Sequence, residues 1–204
     1  DGVLNDSRAC GFDPVSVTCK AGQDPATCLT AGEAAIARRI YAGLKDPSTG
    51  AQIYPGLALG GEDGWITFIN PAAPFAIPLS YYKWLAFADS AWDWKTFDLA
   101  NPANLEVYRR SEAKFAPIIN ATSPDLRAFR QRGGKLLQYH GWSDQLISPQ
   151  NSINYFESVV AAFGGDRDAA LRAVQEYYRL MMAPGMLHCG GGPGPNTFDT
   201  IGAL

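Results

Sequence analysis

Apolar positions in the C-terminal half of the chain follow two kinds of spacing. Short apolar runs at Lys135–His140 and Tyr177–Met182, each bounded by a turn rich in glycine or proline, predict buried parallel strands. Between them, apolar residues recur at helical spacing from Pro149 to Gly164, and a further helix is predicted over residues 166–176. The pattern is strand, loop, two helices, strand, loop, which is typical of an α/β fold.

The N-terminal half has a different pattern. Thr30 and Glu33 form a capping box that predicts a helix running to Leu44. A short helix is also predicted from Ser123–Asp125 to Gly133. Between these helices aromatic side chains are too concentrated for an ordinary surface loop, and a small core of their own is the simplest interpretation. They are Trp65, Phe68, Phe75, Tyr81, Tyr82, Trp84, Phe87, Trp92, Trp94 and Phe97.

Composition narrows the possible partners of the chain. It has 204 residues, of which 47% are hydrophobic and 12% aromatic, as in a globular protein. A net charge of −3 offers no basic patch for nucleic acid or for an anionic membrane surface. No apolar run reaches transmembrane length. We therefore expect neither nucleic acid nor a membrane as a partner.

The chain has only two histidines, and each lies at or just beyond a predicted strand. Asp144 follows the first strand and His188 follows the second; loops at the carboxyl ends of parallel strands emerge at the same edge of a sheet. We therefore expect the carboxylate and the imidazole to lie close together. An Asp followed by a His in this order forms the acid and base of an α/β-hydrolase triad. The structural alternatives are a helix N-terminal acid for Asp144 and a hydrogen-bonded histidine for His188. For His140 the structural role is the preferred interpretation.

Two segments carry a family resemblance. Tyr139–Gln145 and His188–Gly192 resemble the corresponding segments of the tannase and feruloyl esterase family, which includes the hydrolase of mono(hydroxyethyl) terephthalate. The resemblance covers almost the whole chain. It implies that Asp144 is the triad acid and His188 the general base. No Gly-x-Ser-x-Gly motif occurs, so the nucleophilic serine is expected outside this chain.

The same resemblance implies a fold and a domain division. Residues 116–204 are expected to be the C-terminal part of an α/β-hydrolase catalytic domain. Residues 1–115 are expected to be an inserted, largely helical and irregular lid that starts inside a calcium loop. The missing N-terminal part of the same enzyme is therefore an expected partner.

The four cysteines alone leave their pairing open, because four cysteines allow three connectivities. The family resemblance implies that Cys19 pairs with Cys28. It also implies that Cys10 joins a cysteine upstream of this chain, and that Cys189 joins the cysteine that precedes the nucleophile. Disulfides are typical of an oxidising compartment, so the protein is expected to be secreted or periplasmic.

The resemblance further implies a structural calcium ion and an activity. Asp1 and the carbonyl of Val3 would supply part of the calcium shell, since Ca²⁺ prefers oxygen ligands; no organic cofactor is expected. The expected activity is hydrolysis of feruloyl, galloyl or related aromatic-acid esters through a Ser-His-Asp acyl-enzyme, with this chain inactive by itself. Ile147 is a candidate substrate wall, and one or two aromatic side chains of the lid could line a slot for the acyl group. The alternative is a non-catalytic family member that binds an aromatic ligand or a partner.

Overall fold

The computed structural model describes residues 2–67 and 74–204, so the predictions at Asp1 and Phe68 lie outside the described residues. The chain forms two units. One consists of Asp1–Leu44, Ile53–Gly64 and Ser123–Leu204, and the other of Lys45–Gln52 and Trp65–Thr122.

The helices and strands are short in the N-terminal half and longer toward the C-terminus. In chain order they are α1 (Ala31–Ala42), β1 (Leu44–Lys45), β2 (Gln52–Tyr54), α2 (Ala76–Tyr81), α3 (Pro102–Ile119), α4 (Arg127–Gln131), β3 (Leu136–Gly141), α5 (Pro149–Phe163), α6 (Arg167–Gln175) and β4 (Tyr178–Ala183). Single turns of 3₁₀-helix occur at Ser7–Ala9, Pro14–Val17, Pro25–Thr27 and Trp94–Thr96, a longer one at Glu62–Thr67, and a π-helical turn at Tyr82–Ala86.

Strands β3 and β4 pair in parallel, as the two apolar runs predict. The register joins Leu136 to Tyr178 at one end and Gly141 to Ala183 at the other. Each strand begins and ends one residue later than predicted. Because the two strands end at the same level, the loops that follow them start side by side.

Helices α5 and α6 pack against this pair of strands and supply most of its core. Helix α5 ends at Gly164, whose φ of 82° is readily adopted only by glycine, and Gly165 follows at 79°. Asp166 then caps α6 by accepting a hydrogen bond from the backbone N–H of Ala169. Both helices lie where the sequence predicts them. The buried core residues are Val159, Val160, Ala170, Val174, Tyr177 and Tyr178.

The first 44 residues contain two features that the sequence predicts. The capping box of α1 is present: the Thr30 hydroxyl accepts from the Glu33 backbone N–H, and the Glu33 carboxylate accepts from the Thr30 backbone N–H. Cys19 and Cys28 are bonded to each other, with an S–S distance of 2.04 Å. The disulfide pairing implied by the family resemblance is therefore confirmed for this pair.

The second unit contains α3, an 18-residue helix that the sequence analysis does not predict. The Asn101 side chain caps it, Pro102 occupies its first turn, and Leu105 and Ser111 are buried. The predicted boundary between residues 115 and 116 lies inside this helix. The chain passes from the second unit to the first after Thr122. The division into lid and catalytic domain itself stays a prediction.

The aromatic residues of the second unit pack on one another. Phe87 stacks on Trp92 with ring centroids 4.7 Å apart, and Tyr82 and Phe97 lie 4.5 Å apart. Such pairs are favourable beyond the area that they bury. The expectation of a small aromatic core is confirmed for these four side chains, while Trp84 is exposed.

Among the described residues, no helix has the length and apolar character needed to cross a membrane.

Candidate active site

The ends of β3 and β4 place Asp144 and His188 in adjacent loops. Asp144 lies three residues beyond the end of β3, and His188 lies five residues beyond the end of β4. Backbone hydrogen bonds join the two loops: the N–H of Trp142 donates to Ala183 at 2.8 Å, and the N–H of Ser143 donates to Met186 at 3.0 Å. Backbone hydrogen bonds therefore continue beyond the strand ends into the loops that carry the candidate residues.

A close backbone contact holds the loops together at Gly141. A Cβ atom at this position would lie 2.1 Å from the carbonyl oxygen of Met186, which is too close for any residue other than glycine. The loops are also joined at His188, whose backbone N–H donates to the side-chain oxygen of Gln145 at 3.1 Å. Gln145 is buried, with 9% of its surface exposed. These contacts fix the backbone on which the imidazole stands.

The predicted contact between the carboxylate and the imidazole is present. His188 Nδ1 lies 2.9 Å from Asp144 Oδ2. The ionised carboxylate can only accept, so Nδ1 carries a hydrogen, and in the neutral ring Nε2 bears the lone pair. Among the described residues nothing hydrogen-bonds to Nε2, and the His188 side chain is 37% exposed. The ring therefore presents a basic nitrogen away from Asp144, which is the arrangement that a general base requires.

Asp144 is buried, and its carboxylate accepts four hydrogen bonds. Oδ1 accepts from the backbone N–H groups of Leu146 at 2.8 Å and Ile147 at 2.9 Å. Oδ2 accepts from His188 Nδ1 at 2.9 Å and from His140 Nε2 at 3.0 Å. A carboxylate has about four lone-pair positions, so its acceptor capacity is filled.

These contacts determine the charge state of Asp144. Burial acts to raise its pKa, but the hydrogen bonds from His140, Ile147, His188 and Leu146 together outweigh burial and lower the pKa to about 2. Asp144 is therefore ionised at neutral pH. A negative charge at this place can orient the His188 ring and stabilise its protonated form.

The Asp144 loop is anchored to the segment that follows β2. The Ser143 hydroxyl donates to the carbonyl of Gly60 at 2.8 Å, and the fully buried Ser148 hydroxyl donates to the carbonyl of Gly56 at 2.6 Å. Tyr54 lies close to this loop: burial raises its pKa, and the negative charge of Asp144 acts in the same direction. The sequence predicts no role for residues 54–56, so their support of the Asp144 loop is a finding of the structure.

His140 has a more specific place than the sequence indicates. It is hydrogen-bonded and nearly buried, as the structural interpretation expects, but one of its partners is the same Asp144 oxygen that holds His188. One signal for this contact is present in the sequence. Gln138 and His140 are two residues apart in β3, so their side chains lie on the same face of the strand. Both polar side chains are directed toward the beginning of α5.

The remaining predicted residues are placed as follows. The side chain of Ile147 is 43% exposed, and its backbone serves the site by donating to Asp144 and accepting from His140. Cys189 directly follows His188, is exposed and has a φ of 61°. Neither Cys189 nor the half-buried Cys10 is bonded to a cysteine of the described chain.

The described residues do not complete a calcium site. Asp1 lies outside them, and Val3 can contribute only its backbone carbonyl. The carboxylate of Asp6, the next acid along the chain, is held by the Arg8 guanidinium at 2.6 Å. Within residues 2–67 and 74–204 no group of three or more His, Cys, Asp or Glu side chains is placed to hold a metal ion. The described residues could therefore supply only part of a calcium site.

Comparison with known proteins assigns the chain to a class. A family model described as tannase and feruloyl esterase matches residues 1–78 and 79–204. The chain is 37% identical over 221 residues to an uncharacterized esterase of Xanthomonas campestris pv. campestris, and this match covers 98% of the chain and 38% of the relative. A probable feruloyl esterase B-2 of Aspergillus terreus is 32% identical over 194 residues, with 95% and 35% covered.

A solved structure gives the same result. The crystal structure of an esterase from Aspergillus oryzae superposes with a TM-score of 0.82 at 30% identity, covering 95% of this chain and 36% of that one. The fold is thus of the α/β-hydrolase type found in esterases. The chain belongs to the tannase and feruloyl esterase family. It spans a little over a third of the length of the relatives that it matches.

Proposed function

We propose that the protein containing this chain is a carboxylic ester hydrolase that acts on aromatic-acid esters, such as feruloyl or galloyl esters. The observation that carries the proposal is the pairing of His188 Nδ1 with the buried Asp144 carboxylate, which leaves Nε2 directed away from it. Membership of a family described by tannase and feruloyl esterase activity supports the substrate class.

In the proposed mechanism the nucleophile is a serine outside these 204 residues. His188 Nε2 takes the proton of that serine as its oxygen attacks the ester carbonyl, and the resulting imidazolium is stabilised by the charge of Asp144. The protonated ring then gives its proton to the leaving alcohol. In the second half of the cycle His188 activates a water molecule that hydrolyses the acyl-enzyme. This chain by itself lacks the nucleophile and is proposed to be inactive.

The contacts between the two loops support the proposal that His188 is held in place as the general base. Gln145 holds the His188 backbone and Asp144 holds its ring, so two hydrogen bonds from the Asp144 loop position Nε2. We retain Ile147 as a proposed substrate contact, because its half-exposed side chain lies on the same loop as Asp144.

The unpaired cysteines support a proposal about the rest of the enzyme. Cys10 and Cys189 are proposed to bond to cysteines in the part of the protein outside this chain, Cys189 to the one beside the nucleophile. The disulfide between Cys19 and Cys28 supports an oxidising, secreted or periplasmic location. Non-reducing peptide mapping of the full-length protein tests both bonds: recovery of Cys10 bonded to Cys189 would contradict the proposal.

A structural calcium ion is also proposed, on the family resemblance alone. Asp1 and the Val3 carbonyl would hold part of it, and the ligands to complete the shell would come from outside the described residues. No catalytic step is assigned to the ion.

The test of the activity uses the full-length protein with methyl ferulate and methyl gallate as substrates. His188→Ala and Asp144→Asn are expected to lower kcat about 10³- to 10⁴-fold, because each removes a member of a triad. The matched control is Asp125→Asn. Its carboxylate also has a pKa lowered to about 2, through hydrogen bonds from Arg127, but it lies at the surface in a different contact.

The outcomes separate the two interpretations of the chain. Hydrolysis by the unmodified protein and by Asp125→Asn, with loss in the other two variants, supports the esterase. No hydrolysis of either ester, together with binding of ferulate or gallate, would instead support the non-catalytic alternative.

A further inference from the structure

A network of hydrogen bonds between buried and partly buried polar side chains leads from β4 to the candidate site. Tyr178 donates its hydroxyl hydrogen to the side-chain oxygen of Gln138, and the Gln138 amide donates to Ser152 Oγ at 2.9 Å. Ser152 Oγ lies 2.7 Å from His140 Nδ1, and His140 Nε2 lies 3.0 Å from Asp144 Oδ2. Tyr178 is fully buried, and Ser152 is 9% exposed. This network of hydrogen bonds connects the strand pair, the first turn of α5 and the Asp144 carboxylate.

The direction of the hydrogen bonds at His140 follows from its partners. His140 Nε2 faces two acceptors, the Asp144 carboxylate and the carbonyl of Ile147 at 3.2 Å. Neither of these can donate, so Nε2 carries a hydrogen.

The other ring nitrogen is fixed by Ser152. The hydroxyl already accepts from Gln138, and among the described residues His140 Nδ1 is the only partner that can accept the hydroxyl hydrogen. If Nδ1 also carried a hydrogen, the Ser152 hydroxyl would receive two donors and keep an unsatisfied hydrogen of its own. A buried polar hydrogen without a partner is unfavourable. The arrangement that satisfies every group is therefore the neutral ring with its hydrogen on Nε2.

The buried hydroxyl at the far end supports the same direction. Burial raises the pKa of Tyr178, so its phenol stays protonated and remains a donor to Gln138. Each side chain in the network thus donates a hydrogen bond to the next one toward Asp144. At the carboxylate, His140 meets the oxygen that also accepts from His188.

We propose that His140 is a positioning residue for the esterase reaction, held by Ser152 as the neutral Nε2–H tautomer so that it fixes Asp144 Oδ2 in the direction of His188. This inference rests on the proposed function for its catalytic consequence, but the tautomer itself does not depend on activity. Without the donor at Nε2, Oδ2 would be held by His188 alone, and the carboxylate could turn about the two backbone bonds to Oδ1.

The first test is spectroscopic and uses the unmodified full-length protein. Long-range ¹H–¹⁵N correlation spectra of the histidine rings, with the His140 signals assigned from their loss in His140→Gln, report which nitrogen carries the hydrogen. We expect a protonated Nε2 and an unprotonated Nδ1. A His140 ring protonated at Nδ1, or at both nitrogens, overturns the proposal whether or not the protein hydrolyses esters.

The second test removes the hydroxyl that selects the tautomer. Ser152→Ala takes away the donor to Nδ1 and is expected to change the ring ¹⁵N pattern of His140. We expect kcat to fall about 10- to 100-fold with KM changed less than about two-fold, because small displacements of catalytic groups have effects of this size. Ser152→Thr retains a hydroxyl and is expected to recover most of the turnover.

The matched control is Ser158→Ala on the same helix. The Ser158 hydroxyl donates to the carbonyl of Tyr155 at 2.6 Å and has no link to His140. This variant is expected to keep both the His140 spectrum and kcat. If Ser152→Ala lowered only the melting temperature, with kcat and the spectrum unchanged, Ser152 would be structural and the proposal wrong. If the unmodified protein had no esterase activity but His140 showed the Nε2–H tautomer, the proposed function would fail and the assignment of the network would stand.

Discussion

The charge of Asp144 gives a prediction about stability that can be worked out from its contacts. Hydrogen bonds lower the pKa of this carboxyl from an ordinary value of 3.8 to about 2, against the effect of burial. A pKa that is lower in the folded state than in the unfolded state means that folding favours the ionised form. The resulting stabilisation is fully present above pH 4 and is lost as the pH falls toward 2. The difference corresponds to about 2 kcal/mol.

The perturbation is Asp144→Asn in the full-length protein. At pH 5 to 7 the variant is expected to be less stable than the unmodified protein, because an amide nitrogen then faces N–H donors in a buried place. As the pH falls from 5 to 2, the unmodified protein loses the contribution of the carboxylate and the variant does not. The difference in the free energy of unfolding between them is expected to shrink by about 2 kcal/mol over this range.

The assay is urea unfolding at pH 5, 4, 3 and 2, followed by tryptophan fluorescence. Asp125→Asn is the control, since the pKa of Asp125 is also lowered to about 2 but its carboxylate is solvent-exposed. Its effect on stability is expected to be small and to weaken further in 0.5 M salt, at about which concentration surface ion pairs are strongly screened. A stability difference for Asp144→Asn that stayed constant from pH 5 to pH 2 would refute the reasoning.

Two further predictions concern the framework around the site. Gly141→Ala is expected to destabilise the protein by about 1–3 kcal/mol, because its Cβ would meet the Met186 carbonyl at 2.1 Å, and a melting curve equal to that of the unmodified protein would contradict this. Replacing Cys19 and Cys28 together with serine is expected to cost about 2–3 kcal/mol through the greater freedom of the unfolded chain. Chemical denaturation measures this cost, and a double variant as stable as the unmodified protein under non-reducing conditions would contradict the expectation.

The sequence predicts the strands and helices of residues 135–183 well, because the apolar spacing agrees with the helix start signal at Pro149 and the stop signal at Gly164. The contact between Asp144 and His188 is also predictable, since parallel strands bring their carboxyl ends together. Both inferences depend on short-range patterns and on one general rule of topology.

Other features of the molecule depend on tertiary contacts that no local pattern reports. Helix α3 is missed although Asn101 and Pro102 are standard start signals; its only buried residues are Leu105 and the polar Ser111. The contact of the second imidazole, His140, with Asp144 is also missed, because the fold decides which partner His140 takes. A histidine at a strand end has many possible partners, and the choice among them is made by Ser152, twelve residues further along the chain.

The turn between α5 and α6 has a practical consequence. Gly164 and Gly165 both have positive φ, and a side chain at either position would meet nothing within 4 Å. The strand ladder, and not this turn, sets where the chain returns before His188, so additional residues at the turn need not change that position. A reporter domain or a pair of new chain termini placed between the two glycines should therefore be tolerated, and the protein could be tagged or circularly permuted there.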